Sequence, residues 1–255
     1  MSKSLFKYFL FLLLGPTCFQ FANGQSSFLQ TQKSSFRVSN AFSNKEAILQ
    51  KQFEEKKLEW PARYVYIRSF KFDSQLEVWV KNNPKDKYQL FKTYRVCMQS
   101  GTMGPKRLQG DFQIPEGFYY INEFNPRSAY HLSLGLNYPN SSDRILSDSL
   151  RPGNGIYIHG SCVSIGCVSV NDSDVEEIYI LTAYAKAAGQ EFIPVHIFPV
   201  RYNSKRSAEY LDGIIKINPS LAGFFVQLKT AFDFFDKNKE LPLIMVDQKG
   251  NYLFD

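Results

Sequence analysis

The feature that most constrains the fold is a series of short segments in which apolar and polar residues alternate. Two of them, residues 64–70 and 75–81, stand on either side of a short turn. Further strands are predicted at residues 88–98, 112–121, 130–136, 156–159 and 192–200, the last as an edge strand because of its prolines. Alternation with a period of two is typical of strands that bury one face. One helix, opened by a capping box at residues 173–176, follows late in the series. The pattern predicts a mainly β fold with some α structure, a sandwich or a barrel.

A histidine and a cysteine follow one of these strands closely. His159 ends a short apolar strand, and Cys167 comes eight residues later, with Gly160 and Gly166 beside them. A thiol becomes a nucleophile when a nearby imidazole takes its proton, and glycine lets the backbone come close to a substrate. The pattern predicts a Cys/His acyl-transfer site. The structural alternative is a small buried cysteine and a hydrogen-bonded core histidine.

The N-terminus has the pattern of a secretory signal peptide. Lys3 and Lys7 precede an apolar run at residues 8–14, and small residues lead up to Gly24. The run is too short to cross a bilayer. We therefore predict cleavage after Gly24 and a periplasmic, extracytoplasmic mature protein, with lipidation at Cys18 as the alternative.

Three cysteines remain after that cleavage. Because Cys97, Cys162 and Cys167 make an odd number, at least one thiol of a secreted chain stays free. We predict Cys97 in the core. Cys162 either pairs with Cys167 or simply lines the loop, and the second reading is favoured because a bridge over so few residues is strained. Their spacing with His159 does not match a zinc site, so no metal and no cofactor are predicted.

Charge narrows the class of partner. The full chain carries a net charge of +6, and removal of the signal peptide leaves 28 basic against 24 acidic residues, or +4. This mild excess is consistent with contact with an anionic cell-wall or membrane surface. Since no basic stripe with interleaved aromatic residues is present, nucleic acid is not predicted as a partner.

The rest of the chain is predicted to have three parts. These are a flexible leader with an N-terminal helix (residues 25–59), a catalytic domain (60–200) and a C-terminal extension (201–255). The leader is rich in Ser and Gln as far as residue 43, and its helix covers residues 44–59. In the extension, an amphipathic helix at residues 219–237 is predicted to pack on the domain, and a hairpin closes the chain.

The run from His159 through Ser164 to Cys167 resembles the active-site signature of the L,D-transpeptidase catalytic domain, the YkuD-like family. Further phrases are similar to its YafK-type branch: residues 110–119, 125–134, 138–144 and Asn171-Asp172 with the helix after them. The resemblance covers most of the chain after the signal peptide, including the C-terminal extension.

The resemblance implies a β-sandwich catalytic domain with flanking helices and a C-terminal α/β extension, acting on peptidoglycan stem peptides. The family enzyme attacks the bond between a diamino acid at position three and D-alanine at position four. D-alanine leaves, and an amine of another stem peptide or of a lipoprotein lysine takes the acyl group. By resemblance, Cys167 is the nucleophile and His159 the general base. The backbone N–H groups of Gly166 and Cys167 form the oxyanion hole, supported by Gly160 and Ser164.

Two departures from the commoner family pattern affect substrate binding. Ile165 and Ser169 stand where that pattern has a histidine and an arginine. The candidates for the missing substrate contact are His131, Arg127, Arg144 and Ser169, each with a structural role as the alternative. The loops at residues 100–110 and 137–155 are predicted to shape the cleft, and His196 is predicted to lie outside the site, in the core or on the surface.

Three other functions compete with transfer. Water could resolve the same acyl-enzyme, giving a hydrolase that trims stem peptides or releases a wall-attached lipoprotein. A wall-binding protein without turnover is a second possibility, against which the presence of both Cys167 and His159 argues. A papain-like peptidase is the third, but in that class the cysteine precedes the histidine, and here the order is reversed.

Overall fold

The computed structural model describes residues 21–255, with side chains from residue 27 onward. The predicted lipidation site at Cys18 and the signal peptide as far as residue 20 lie outside the described residues. Within the described part, every helix is too short or too polar to cross a membrane.

An eight-stranded mixed sheet forms the centre of the molecule. Its strands are β1 Tyr64–Phe70, β2 Gln75–Lys81, β3 Gln89–Arg95, β4 Gly117–Asn125, β5 Ser133–Leu136, β6 Tyr157–His159, β7 Val168–Ser169 and β8 Ile193–Phe198. They lie in the order β3-β2-β1-β8-β4-β5-β6-β7, in which β1 with β8 and β6 with β7 are parallel pairs. The predicted strands are thus present, mostly with shorter bounds.

Helices cover both faces of this sheet. They are α1 Phe21–Lys33, α2 Phe36–Glu55, α3 Ser141–Leu146, α4 Asp172–Ala187, α5 Lys205–Ile217 and α6 Ala222–Asn238. The largest apolar cluster joins α2 and α4 to one face, and a second joins α5 and α6 to the end of the other. The predicted fold class, β-rich with flanking helices and a C-terminal α/β extension, is confirmed. Helices α3 and α5 occur where the sequence periodicity predicts no element.

The prediction of a flexible leader as far as residue 43 is wrong. Helix α1 lies there, and α2 begins at Phe36 instead of residue 44. Val38, Phe42 and Leu49 are buried at helical spacing on one side of α2, and they belong to the same core as α4. The Ser and Asn residues between them hide this apolar stripe in the sequence, and packing on α4 stabilises the helix.

Strand β8 is central, so the prediction of an edge strand is also wrong. It pairs with β1 on one side and with β4 on the other. Pro194 lies opposite Tyr120 of β4, but the pairing with β1 begins only at Val195. The proline therefore lies just before the point where β8 starts to pair with β1. For this reason its lack of an N–H group removes no hydrogen bond to β1.

Helix α4 begins slightly before the predicted capping box. Asn171 is the N-cap, and its side chain accepts a hydrogen bond from the backbone N–H of Asp174 at 2.8 Å. The helix ends at Ala187, and Gly189 follows with a φ of +101°. A left-handed residue at this place is the usual way to close a helix, as predicted.

The C-terminal extension belongs to the core. Phe225 and Phe232 of α6 are buried against Phe70 and Phe198 of the sheet, which confirms that this amphipathic helix packs on the domain. The predicted closing hairpin is present as β9 Ile244–Val246 and β10 Tyr252–Phe254, paired antiparallel. Tyr252 is buried against the ring of Phe118, so the hairpin is anchored to β4.

Candidate active site

The pairing of β6 with β7 brings His159 and Cys167 to one face of the sheet. Ile158 lies opposite Val168, and His159 lies opposite Ser169. Because side chains alternate along a strand, Ile158 and Val168 point into the core, where both are buried. Cys167, one residue before Val168, points to the same side as His159.

The loop between these strands turns at Gly160. The N–H of Gly160 donates to the carbonyl of Tyr130 at 3.1 Å, and the N–H of Ser161 donates to Asp172 Oδ1 at 2.7 Å. A Cβ atom on Gly160 would lie 2.4 Å from that same Oδ1 atom. Glycine is therefore required here by close approach of the helix start to the loop.

A disulfide between Cys97 and Cys162 holds the same loop. It overturns both expectations for these residues, that Cys97 packs as a core thiol and that Cys162 simply lines the loop. The two cysteines are 65 positions apart in sequence, but an isolated bridge from residue 98 to Ser169 brings the segment after β3 beside the loop. Cys167 is left as the free cysteine of the described chain, as the odd cysteine count predicts.

The thiol of Cys167 is partly buried and uncharged at neutral pH. Its Sγ atom lies 3.7 Å from the carbonyl oxygen of Gly155, which accepts the S–H. Burial raises the pKa of the thiol above its usual 9.0, while the backbone N–H of Tyr157 and the charge of Lys106 act in the opposite direction. At neutral pH, the thiolate of Cys167 therefore forms only if a base removes the proton.

His159 has the protonation state that such a base needs. The side chain is buried, and burial lowers its pKa below the usual 6.5. Nδ1 lies 2.6 Å from the carbonyl oxygen of Gly160. Since a carbonyl only accepts, Nδ1 carries the hydrogen, and Nε2 of the neutral ring keeps its lone pair. Among the described residues no hydrogen bond joins this ring to the thiol of Cys167. Such bonds in catalytic pairs are often long before substrate binds.

The hydroxyl of Ser164 binds the two backbone N–H groups that are the predicted oxyanion donors. Its Oγ accepts hydrogen bonds from the N–H groups of Gly166 at 3.2 Å and Cys167 at 3.1 Å, and donates to the carbonyl of Cys167 at 2.7 Å. The hydroxyl therefore fixes the turn in front of the cysteine. An oxyanion that used these two N–H groups would have to replace it.

Two of the candidate substrate contacts have structural partners. Ser169 is fully buried, and its hydroxyl donates to the carbonyl of Met98 at 2.9 Å. His131 Nε2 lies 2.9 Å from Glu176 Oε1 on α4. These interactions connect the sheet to the segment after β3 and to helix α4.

The two candidate arginines lie on the surface. The Nε of Arg144 donates to the carbonyl of Pro139 at 3.2 Å, and Arg127 is exposed after the end of β4. Neither arginine, nor Ser169 or His131, lines the cavity at Cys167. His196 is buried with its Nδ1 2.9 Å from the hydroxyl of Tyr66, which confirms a core position away from the site.

A cavity of about 290 Å³ opens beside the thiol. Its lining consists of Lys106, Gln109, Gly110, Phe112, Gly153, Asn154, Gly155, Ile156, Ile165, Gly166 and Cys167. Both loops predicted to shape the cleft contribute to it, the first from residues 106–110 and the second from residues 153–155. The cavity therefore gives a ligand access to Cys167.

Lys106 is a candidate functional residue that the sequence motifs do not indicate. Its side chain is 6% exposed and is paired with Asp111. Its charge is felt by the Cys167 thiol, whose pKa it lowers. A lysine in a Gly/Pro-rich loop has no distinctive spacing, so the sequence signals only that the loop is close to the cleft.

Residues 55–197 match the model of the YkuD family, the L,D-transpeptidase catalytic domain. The protein of Escherichia coli (strain K12) named "Putative L,D-transpeptidase YafK" is 34% identical over 191 residues, which cover 74% of this chain and 73% of that protein. Its counterpart in Escherichia coli O157:H7 matches equally. The chain therefore belongs to the YkuD family of L,D-transpeptidase catalytic domains.

Solved structures give weaker likenesses. The helical cell shape determining protein Pgp2 from Campylobacter jejuni (K307A mutant) superposes with a TM-score of 0.42 and 18% identity, covering 73% of each chain. Bd1075 of Bdellovibrio bacteriovorus gives a TM-score of 0.39 and 22% identity, covering 61% of this chain and 56% of that one. At this level of similarity no functional conclusion follows.

Proposed function

We propose that this protein is a cysteine acyltransferase that forms an acyl-enzyme on Cys167 from a peptidoglycan stem tetrapeptide and passes the acyl group to an amine. The observation that carries the proposal is the free thiol of Cys167, which lines a cavity on the same face as the neutral imidazole of His159. Membership of the L,D-transpeptidase family supports the class of substrate.

The chemistry requires two half-reactions. The Nε2 atom of His159 takes the thiol proton, and sulfur attacks the carbonyl carbon between residues three and four of the stem. The C–N bond breaks, and the imidazolium gives its proton to the departing amine of D-alanine. An acceptor amine then attacks the thioester carbonyl and loses its proton to the imidazole. The C–S bond breaks, and the imidazolium returns that proton to the departing thiolate of Cys167.

We also propose an extracytoplasmic site of action. The N-terminal pattern supports it, and so does the Cys97–Cys162 disulfide, because such bridges persist in oxidising compartments and are rare in the cytosol. A periplasmic enzyme would meet its wall substrate without crossing a membrane.

Mass spectrometry of the mature protein with tetrapeptide-bearing peptidoglycan fragments tests the function. Wild type should release D-alanine and form cross-linked dimers between residues at position three, with a transient acyl adduct on Cys167. The Cys167→Ala variant should do neither while keeping its fold. Release without dimers would establish the hydrolase instead, and turnover by Cys167→Ala would remove this cysteine as the nucleophile.

A further inference from the structure

The charge on the described residues that line the cavity beside Cys167 is positive. Of the described residues that line it, Lys106 alone carries a formal charge, and no carboxylate is among them. The remaining lining is glycine, amide and apolar surface. A cation in a partly enclosed space attracts an anionic group more strongly than one in open water.

The ammonium group of Lys106 makes fewer hydrogen bonds among the described residues than it has N–H donors. It donates to the carbonyl of Leu108 at 2.9 Å and to Asp111 Oδ1. A lysine ammonium carries three hydrogens, so one has no acceptor among the described residues. The side chain is also held rigid by its burial, so little rotamer entropy is lost when a ligand binds.

Asp111 does not cancel this cation completely. Its Oδ1 also accepts from the N–H of Gln113 at 3.0 Å, and its Oδ2 accepts from the N–H groups of Arg107 at 3.0 Å and Leu108 at 3.1 Å. The negative charge is thus shared among three backbone donors as well as the lysine. The carboxylate orders its own loop and holds Lys106 in place.

The opposite wall of the cavity is shaped to admit the lysine. A Cβ atom on Gly153 would lie 2.9 Å from Lys106 Cε and 3.5 Å from Nζ. Gly153 also has a φ of +91°, which side chains rarely adopt. The loop therefore passes directly over the end of the lysine.

We propose that Lys106 binds a carboxylate of the substrate in the cavity next to Cys167 and thereby positions the scissile amide for attack. The inference rests on the proposed function. On a stem tetrapeptide, two carboxylates lie near that amide. One is the α-carboxylate of the leaving D-alanine, and the other is on the side chain of a diaminopimelate at position three. Both offer the same chemistry to an ammonium group.

Peptide binding to a variant that cannot react tests the role of Lys106 separately from catalysis. In the Cys167→Ala background, we would measure affinity by calorimetry for three peptides: the acid tetrapeptide, its C-terminal carboxamide, and a tetrapeptide with lysine at position three. Lys106→Met should weaken binding of the acid about tenfold, the lower range for a charge-assisted hydrogen bond. Lys106→Arg should restore part of it.

The carboxamide identifies the group that is bound. If Lys106 holds the terminal carboxylate, amidation should weaken binding to the Lys106 protein, and Lys106→Met should have no further effect on the amide. If Lys106 holds the side-chain carboxylate, the peptide with lysine at position three should bind the Lys106 protein more weakly than the acid tetrapeptide does. Lys106→Met should then have no further effect on that peptide. Equal losses for all three peptides would mean that Lys106 only supports the loop, and would overturn the inference.

Lys92→Met provides the matched control. This lysine also forms an ion pair, 2.6 Å from Glu177, but it does not line the cavity. Its replacement should leave all three affinities unchanged. Release of D-alanine by wild type, measured in parallel, shows whether the proposed function holds. Release by wild type with no peptide-specific effect of Lys106→Met would refute the inference alone.

Discussion

Cys167 and His159 respond to burial in opposite directions. Burial raises the pKa of the thiol and lowers the pKa of the imidazole, because in both cases it disfavours the charged form. At rest, the two proposed catalytic side chains are therefore a neutral thiol and a neutral imidazole. Under the proposed function, the histidine would act as a general base during attack, rather than as the cation of a preformed ion pair.

The pH profile of turnover should show this arrangement. Protonation of His159 removes the base, and burial shifts that protonation to lower pH. We expect kcat/KM for D-alanine release to decline towards acid pH with a midpoint below 6.5, the ordinary imidazole value. The measurement is kcat/KM across the acid and neutral range. A midpoint above 6.5 would contradict a buried neutral base.

Gly160 provides a second prediction at the scale of one residue. In Gly160→Ala the new methyl group would collide with Asp172 Oδ1, which accepts from the N–H of Ser161. We expect about 1–3 kcal/mol lower free energy of unfolding and a loss of turnover, measured by urea denaturation and D-alanine release.

Gly213→Ala is its control, because Gly213 in α5 has nothing within 4 Å of the added carbon. It should raise the stability by up to about 1 kcal/mol. If Gly160→Ala were as stable and as active as wild type, the close packing at Gly160 would not matter.

At the scale of elements, the loop between β6 and β7 is held at both ends and in the middle. The strands fix its ends by their pairing, and the Cys97–Cys162 disulfide fixes its centre to the segment after β3. The N–H of Cys97 also donates to the carbonyl of Ser169 at 2.9 Å. These contacts fix the backbone between the two proposed catalytic side chains.

Loss of the disulfide should therefore affect both stability and activity. The sequence separation of 65 corresponds to about 4 kcal/mol of loop-closure entropy in the unfolded chain. We expect the double variant Cys97→Ser/Cys162→Ser to unfold at lower urea concentration and to release D-alanine more slowly. Cys167→Ala, which keeps the bridge, is the control in the same denaturation series. Equal midpoints for the double variant and wild type would disprove the stabilising role.

Most strands could be predicted because their signal is local. Strands β1 and β2 have the bounds that their alternating residues predict, although both faces of each strand are buried. The place of β8 between β1 and β4 could not be predicted in this way, because pairing partners are far apart in sequence. The same holds for α2, whose apolar stripe becomes clear only against α4.

At the scale of the whole molecule, a buried charge cluster joins the sheet to the C-terminal extension. Glu77 of β2 accepts hydrogen bonds from Arg68, from Trp79 Nε1 at 2.7 Å and from Arg201 Nη2 at 2.6 Å. The Arg68 guanidinium also lies 5.0 Å from the ring centre of Phe235 on α6. The extension is thus bound to the sheet by charge as well as by apolar packing.

Glu77→Gln should weaken this connection. It removes the nearer of the two carboxylates from the buried Arg68 and leaves only Asp236, at 3.5 Å, and we expect about 3 kcal/mol lower free energy of unfolding. Burial alone would raise the pKa of Glu77, but Arg68 and the hydrogen bonds lower it below its usual 4.5. The stabilisation is therefore complete above about pH 4.5 and is lost as the pH falls through the folded-state pKa.

Urea denaturation at several pH values checks both points. The loss of stability towards acid pH should be shallower in Glu77→Gln than in wild type. Glu209→Gln is the control, since Glu209 is largely exposed and lies 3.9 Å from Lys205, a pair worth at most about 0.5 kcal/mol. Equal stability of Glu77→Gln and wild type would contradict the role of the cluster.

The sequence by itself determines the local features of this protein. Apolar alternation determines most strands, and the interval from His159 to Cys167 places both residues around one short loop. Tertiary structure decides the rest: Cys162 pairs with Cys97, Ser169 is buried, and Lys106 reaches the cavity at Cys167. The physical reason is range. A strand's periodicity depends on neighbours along the chain, whereas the partner of a cysteine or a lysine depends on which distant segments the core brings together.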